Sequence, residues 1–374
     1  MKARARDLGL PLDGRTGKHN AITDVPGVEV GYTTLIEGEG EVVVGEGPVR
    51  TGVTAILPRG KRHRLSPIWA GQFSLNGNGE MTGCHWIDDA GYFLSPICLT
   101  NTHSVGIVHH ATVGWMVRQY PEAFLEDHAW ALPVVAETYD GLTNDICGQH
   151  ITEEHTLQAI ASAKSGAIEE GNVGGGTGMM TYEFKGGTGT SSRVVSLDNR
   201  DYVVGALVQS NFGSRHDLRI LGVPVGRHFH ENAIITELMH GDTGSIIVVV
   251  ATNLPALPIQ LRRIAKRAAL GIGRTGTPGG HYSGDIFLAF STGNDLEWPT
   301  LSGQQPQAFE LDCINDHHFD GIYEATVQAV EEAVINAMLA AESMSTVKPP
   351  GYRLDAIDHE RLFDIMKLYN RTSF

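Results

Sequence analysis

The residue whose setting most suggests chemistry is a serine between a glycine and an apolar run. In "HGDTGSIIVVVATN" (His240–Asn253), Ser245 follows Gly244 and opens a stretch of β-branched residues. A serine hydroxyl needs a base before it attacks a carbonyl. One such base is the residue's own α-amine, once that residue is a chain terminus. Its ordinary pKa of about 7.7–8.0 suits proton transfer near neutral pH. Making that terminus requires the chain to cut its own Gly244–Ser245 bond. Glycine before the serine lets the backbone bend and leaves the carbonyl open to attack. The run "SIIVVVATN" would hold the new terminus on a rigid buried strand. Taken alone, the same letters also describe an ordinary strand start.

Other chemistry-bearing patterns are weaker. The glycine clusters "GNVGGGTGMM" (Gly171–Met180) and "KGGTGTSSR" (Lys185–Arg193) contain no GxGxxG, and "GIGRTGTP" (Gly271–Pro278) lacks the lysine of a phosphate-binding loop. Both clusters read as loops inside one domain. His109–His110 reads as a strand pair pointing to opposite faces, a poor geometry for one ion, and Asp316, His317 and His318 offer another short cluster. There is no HExxH and no GxSxG. Cys84, Cys98, Cys147 and Cys313 are far apart and read as free thiols in a reducing compartment.

Positioning such a serine takes a layered scaffold. Strands are expected at 27–35, 52–60, 106–115, 132–145 (running into a loop), 193–197, 201–213 and 284–293, besides the run after Ser245. Helices are expected at 111–120, 152–166, 257–270, 321–341 and 359–369. The 321–341 helix reads as amphipathic, with Tyr323, Val327, Val330, Val334 and Met338 on one face and glutamates between them. Strands and helices mix without βαβ alternation, which favours a layered α/β fold over a doubly wound sheet.

Composition narrows the classes. The 374 residues are 41% hydrophobic and 19% charged, and 45 are glycine. That glycine content, about 12% against roughly 7% in average usage, fits tight turns and close backbone approaches. A formal net charge of −15 argues against nucleic-acid binding. No apolar stretch reaches membrane-spanning length, and the basic N-terminus lacks a signal-peptide core, so a cytoplasmic location is expected.

The ordered set "TNTHSVG", "PVVAETYDG", "NVGGGTGM", "KGGTGTSSR", "VQSNFG", "HGDTGSIIVVVATN" and "HYSGDIFLAFSTGN" is far more specific than the Gly–Ser pair. It resembles the DmpA-type aminopeptidases, comprising L-aminopeptidase/D-Ala-esterase-amidases and β-aminopeptidases, from about Ala21 to Leu368. The resemblance implies an α/β fold, a four-layer αββα sandwich like that of N-terminal-nucleophile hydrolases but differently connected. It implies a single catalytic domain self-cleaved into residues 1–244 and 245–374, no metal or organic cofactor, and a homo-oligomer of four αβ units. Implied substrates are small peptides, aminoacyl amides and esters. Ser245 matches the nucleophile, Ser283 the serine near its amine that assists proton transfer, and Asp285 the acid completing that relay. Asn211 matches the oxyanion-hole amide. Glu137 matches the carboxylate that binds the substrate ammonium, with Tyr139 in the same pocket. The reading requires that Ser245 Oγ lie within hydrogen-bond reach of Ser283. Rival readings are a related acyltransferase, a metal-dependent amidohydrolase and a catalytically silent oligomeric binding protein.

Overall fold

The structure is a computed structural model describing residues 2–127, 129–233, 244–296, 308 and 310–372. Two sheets lie face to face, and each carries helices on its outer side. The first sheet has the order β1 (Glu29–Glu37), β2 (Val49–Leu57), β5 (Ile97–Asn101), β6 (Val134–Thr138). The second has the order β4 (Tyr92–Phe93), β3 (Ile68–Ser74), β12 (Gly284–Ser291), β11 (Ser245–Thr252), β10 (Arg200–Asn211), β9 (Gly187–Leu197). Two short hairpins, β7 (Met180–Thr181) with β8 (Phe184–Lys185) and β13 (Met344–Val347) with β14 (Pro350–Leu354), stand apart.

Strand alternation builds the layers. On β11, Ile247, Val249 and Ala251 pack between the sheets against Ile56, Leu99 and Ala136. Ile246, Val248 and Val250 point the other way, onto the core shared with α5 (Pro258–Arg274) and α6 (Phe319–Leu339). The first sheet packs outward through Val53, Ala55 and Cys98 onto α2 (Val105–Gln119) and α4 (Glu153–Ser162). The result is the four-layer αββα sandwich. A strand in the middle of a sheet and covered on both faces must be apolar throughout, which is why "SIIVVVAT" has no polar residue after Ser245 until Thr252.

Three expectations change. The 106–115 stretch is helical, not extended, because Val108, Ala111, Thr112 and Met116 bury at helical spacing. His109 and His110 therefore lie on a helix. The 185–193 glycine cluster is not a loop but the edge strand β9 with the end of β8. Its Gly189 lets α6 lie flat on the strand: a Cβ there would sit 2.0 Å from the Ala333 carbonyl oxygen. Finally, α6 is buried almost all round rather than amphipathic. Glu332 is fully buried against Arg193 at 2.7 Å and Arg6 at 3.1 Å, and Glu331 pairs with Arg274. Those carboxylates are tolerated inside because each meets a guanidinium.

Candidate active site

The two hydrogen-bonding partners of β11 bring the expected residues to one end of the sheet. β10 runs antiparallel to β11 and ends with Asn211 directly opposite Ser245. β12 runs parallel to β11 and begins with Gly284 opposite Ser245. Directly opposed residues of an antiparallel pair have Cβ atoms about 4.5–5.5 Å apart. Asn211 and Ser245 share the parity of Gln209 and Ile247, so they belong to the face between the sheets. Gln209 on that face donates to Thr100 O and Thr138 Oγ1 of the opposite sheet, each at 2.8 Å. Both Ser245 and Asn211 are buried.

The Gly244–Ser245 peptide is itself held. The Gly284 N–H donates to the Gly244 carbonyl oxygen at 3.1 Å, extending the parallel ladder across that bond. A side chain on residue 244 would meet backbone, since a Cβ there would be 2.2 Å from Asn211 O and 2.6 Å from Phe212 Cα. Glycine is thus dictated by close approach to β10, a constraint the sequence does not display. The preceding residues of the motif, His240–Thr243, lie outside the described residues.

Asn211 has its amide fixed from both ends. Its Oδ1 accepts from Met180 N–H at 2.8 Å and its Nδ2 donates to Tyr139 O at 3.0 Å. Among the described residues the second Nδ2 hydrogen meets no acceptor. Ser283 and Asp285 are fully buried, and the Ser283 hydroxyl donates to Asp285 Oδ1 at 2.7 Å. Asn76 Nδ2 donates to Asp285 Oδ2 at 3.0 Å. Among the described residues no hydrogen bond joins Ser245 Oγ to Ser283, contrary to expectation. Alternation gives the reason: Asp285, to which the Ser283 hydroxyl is bonded, shares the parity of Phe287, on the helix side of the sheet, whereas Ser245 shares that of Ile247. What β12 presents to the Gly244–Ser245 peptide is the N–H of Gly284, the residue after Ser283.

Glu137, at the end of β6, is buried. It accepts from Thr102 Oγ1, and from Glu80 N–H at 2.9 Å. Burial pushes its pKa up; those two hydrogen bonds and the nearby His103 pull it back down. Gly79 lies between this carboxylate and β12, since a Cβ there would be 3.2 Å from Glu137 Oε1 and 3.4 Å from Gly284 Cα. The carboxylate is therefore a near neighbour of the Ser245 register position. Tyr139 contributes its carbonyl to Asn211, and its side chain remains 45% exposed. Sequence reasoning missed Thr102, Asn76, the Glu80 N–H and the Met180 N–H. Thr102 opens a short 3-10 turn after β5 and Asn76 sits in a loop, while the others act through backbone atoms that carry no residue signature. The Asp316–His318 cluster is spent otherwise, with Asp316 bonded to Gln260 and Arg263.

An αββα sandwich with a buried serine heading its middle strand, an amide opposite and a serine–carboxylate pair alongside is the architecture of an N-terminal-nucleophile hydrolase. Residues 20–349 match the model of peptidase family S58. The β-peptidyl aminopeptidase of Sphingosinicella microcystinivorans is 49% identical over 381 residues, covering 98% of this chain and 93% of that one. The L-aminopeptidase D-Ala-esterase/amidase of Ochrobactrum anthropi, described as a prototype serine aminopeptidase with a variant of that hydrolase fold, superposes with a TM-score of 0.93. It is 52% identical, over 99% of this chain and 100% of that one. A β-aminopeptidase from Burkholderia sp. gives a TM-score of 0.88 at 44% identity, over 98% and 99% of the two chains. The chain belongs to peptidase family S58 and is a serine aminopeptidase.

Proposed function

We propose that the chain cuts its own Gly244–Ser245 bond and then uses Ser245 to release N-terminal residues from peptides, aminoacyl amides and esters. The single observation that carries this reading is the register of three strands, which gathers Asn211, Ser245 and Gly284 around one peptide bond. In the first reaction Ser245 Oγ attacks the Gly244 carbonyl carbon, whose oxygen already accepts from the Gly284 N–H. The peptide C–N bond breaks, the amine takes the proton, and water hydrolyses the resulting ester. The new terminus has an amine close to neutral in pKa.

In turnover Ser245 Oγ attacks the substrate carbonyl while its proton passes to the amine. Ser283, itself held by Asp285, accepts from or donates to that amine. This route needs no direct Ser245–Ser283 contact, because the proton moves on the backbone side of the residue. The second Nδ2 hydrogen of Asn211 stabilises the tetrahedral oxyanion, a contribution of about 2.7–4 kcal/mol for a donor of this kind. The leaving amine departs with a proton, and water releases the acyl group. Glu137 receives the substrate ammonium, with Tyr139 at the edge of the same pocket. A partly desolvated carboxylate selects for a free amino terminus by charge-assisted hydrogen bonding. The relatives' β-peptidyl, L-aminoacyl and D-alanyl substrates set the range of acyl groups to test. The same proposal includes a homo-oligomer of four αβ units in the cytoplasm, which light scattering and cell fractionation check. No helix among the described residues is long and apolar enough to cross a membrane.

The deciding experiment is a denaturing gel with an activity assay. Wild type should run as two pieces, 1–244 and 245–374, and hydrolyse an aminoacyl p-nitroanilide. Ser245→Ala should run as one inactive band of 40.4 kDa. A Ser245→Ala protein that still splits, or still turns over, sinks the assignment.

A further inference from the structure

Lys185 is fully buried, yet no carboxylate among the described residues lies within ion-pair distance of its amine, and burial pushes that amine well below its ordinary pKa. A buried amine without an anion is costly and calls for a local reason. Its Nζ donates to two backbone carbonyls, Met179 O at 2.8 Å and Gly186 O at 2.7 Å. The first matters here, because Met179 C=O and Met180 N–H are two ends of one peptide unit. Met180 N–H donates to Asn211 Oδ1 at 2.8 Å, and Asn211 Oδ1 and Nδ2 are likewise two ends of one amide. The groups form a directed chain: Lys185 Nζ–H to Met179 O, Met180 N–H to Asn211 Oδ1, Asn211 Nδ2–H to the site. Every dipole in it points the same way, and hydrogen bonds aligned so polarise one another. The hairpin of β7 and β8 fixes the spacing, since Met180 pairs with Lys185 in register and Thr181 is bonded to Ser210 O at the end of β10.

We propose that Lys185 is a positioning residue for the oxyanion donor, acting through the Met179–Met180 peptide to orient and polarise the Asn211 amide. Met180 N–H holds the amide oxygen away from the nucleophile, so that Asn211 presents N–H to it. The amine N–H strengthens that hold by drawing electron density toward Met179 O. This rests on the reading of Asn211 as the oxyanion donor, given above. A merely structural brace for the hairpin would have no preference for the transition state.

The test uses the self-cleaved enzyme and Lys185→Met, which keeps the stem and removes the donors. On an aminoacyl p-nitroanilide, kcat should fall about tenfold, part of the 10²–10³ that one oxyanion donor supplies, with KM within twofold. An aminoacyl aldehyde, whose adduct on serine carries an oxyanion, should lose affinity by the same factor, while the product amino acid binds as before. In an Asn211→Ala background, Lys185→Met should cost no more than a further twofold. Equal losses in both backgrounds, an unchanged kcat, or aldehyde and product affinities falling together would overturn the proposal. If Asn211→Ala alone leaves kcat intact, the oxyanion assignment fails first, whatever Lys185→Met does. If Asn211→Ala stays uncut, the aldehyde-against-product comparison decides with Asn211 in place. Should Lys185→Met not fold, Lys185→Leu enters the same comparison with the same outcomes.

Discussion

Replacing Glu137 by glutamine probes the recognition of the substrate amine with little change of shape. The amide oxygen can still accept from Glu80 N–H, and the Thr102 hydroxyl can rotate to accept from the new amide nitrogen. What disappears is the negative charge. Two unit charges about 4 Å apart at an effective dielectric of about 20 attract by roughly 4 kcal/mol. Truncating one member of a buried charged pair costs about 2–5 kcal/mol. At 1.4 kcal/mol per factor of ten, the expected fall in kcat/KM is about 10²–10³-fold, mostly in KM. An acyl p-nitroanilide without the amine, already a poor substrate, should be unaffected. The pH profile gives a second reading. Burial raises the Glu137 pKa above its ordinary value of 4.5. Its protonation, and loss of ammonium binding, therefore begins at a higher pH than for an exposed glutamate. Because a bound ammonium favours the carboxylate, that acid limb should lie higher in kcat/KM, which reports the free enzyme, than in kcat. Glu137→Gln should abolish this difference. Equal loss with and without the substrate amine, or an unaltered acid limb, would refute the role.

Asp285→Asn should leave the sheet intact but lower kcat about 10²-fold in steady-state assays, at the low end for general acid–base groups, because Ser283 loses its charged acceptor. Asp140 is fully buried, and burial raises its pKa from 3.8 to about 7 against the opposing bond from Asn144. The folded state therefore holds that proton more tightly than the unfolded chain does. Its stabilising contribution is fully present below about pH 4 and fades as pH rises to about 7. Asp140→Asn should flatten that part of a Tm-against-pH curve, read by calorimetry. Gly189→Ala forces a methyl against the Ala333 carbonyl, and denaturant titration should give a loss of about 1–3 kcal/mol.

Much of the scaffold is legible from periodicity. The apolar run after Ser245, the 201–213 strand and the helix near 257–270 appear within a few residues of their expected bounds, because each buries a face at its own period. The errors have a common origin. The 106–115 segment is rich in β-branched residues, yet packing on β5 and β6 makes it helical. The 185–193 cluster carries loop-like letters, yet α6 needs them small so that it can lie on β9. The glutamates of α6 resemble a solvent face until Arg193, Arg6 and Arg274 arrive from elsewhere in the chain.

The candidate site divides the same way. Sequence alone determined that a glycine–serine pair heads a buried strand, and the ordered motifs single out Asn211, Ser283, Asp285 and Glu137. Only the tertiary structure decided how these groups meet. Register sets Asn211 opposite Ser245, and strand parity turns Asp285, with Ser283 bonded to it, to the other face. The Met180 N–H selects which end of the Asn211 amide the site receives. Side-chain identity is written residue by residue, but facing, register and backbone donors arise from pairing between distant segments, and no local pattern encodes them.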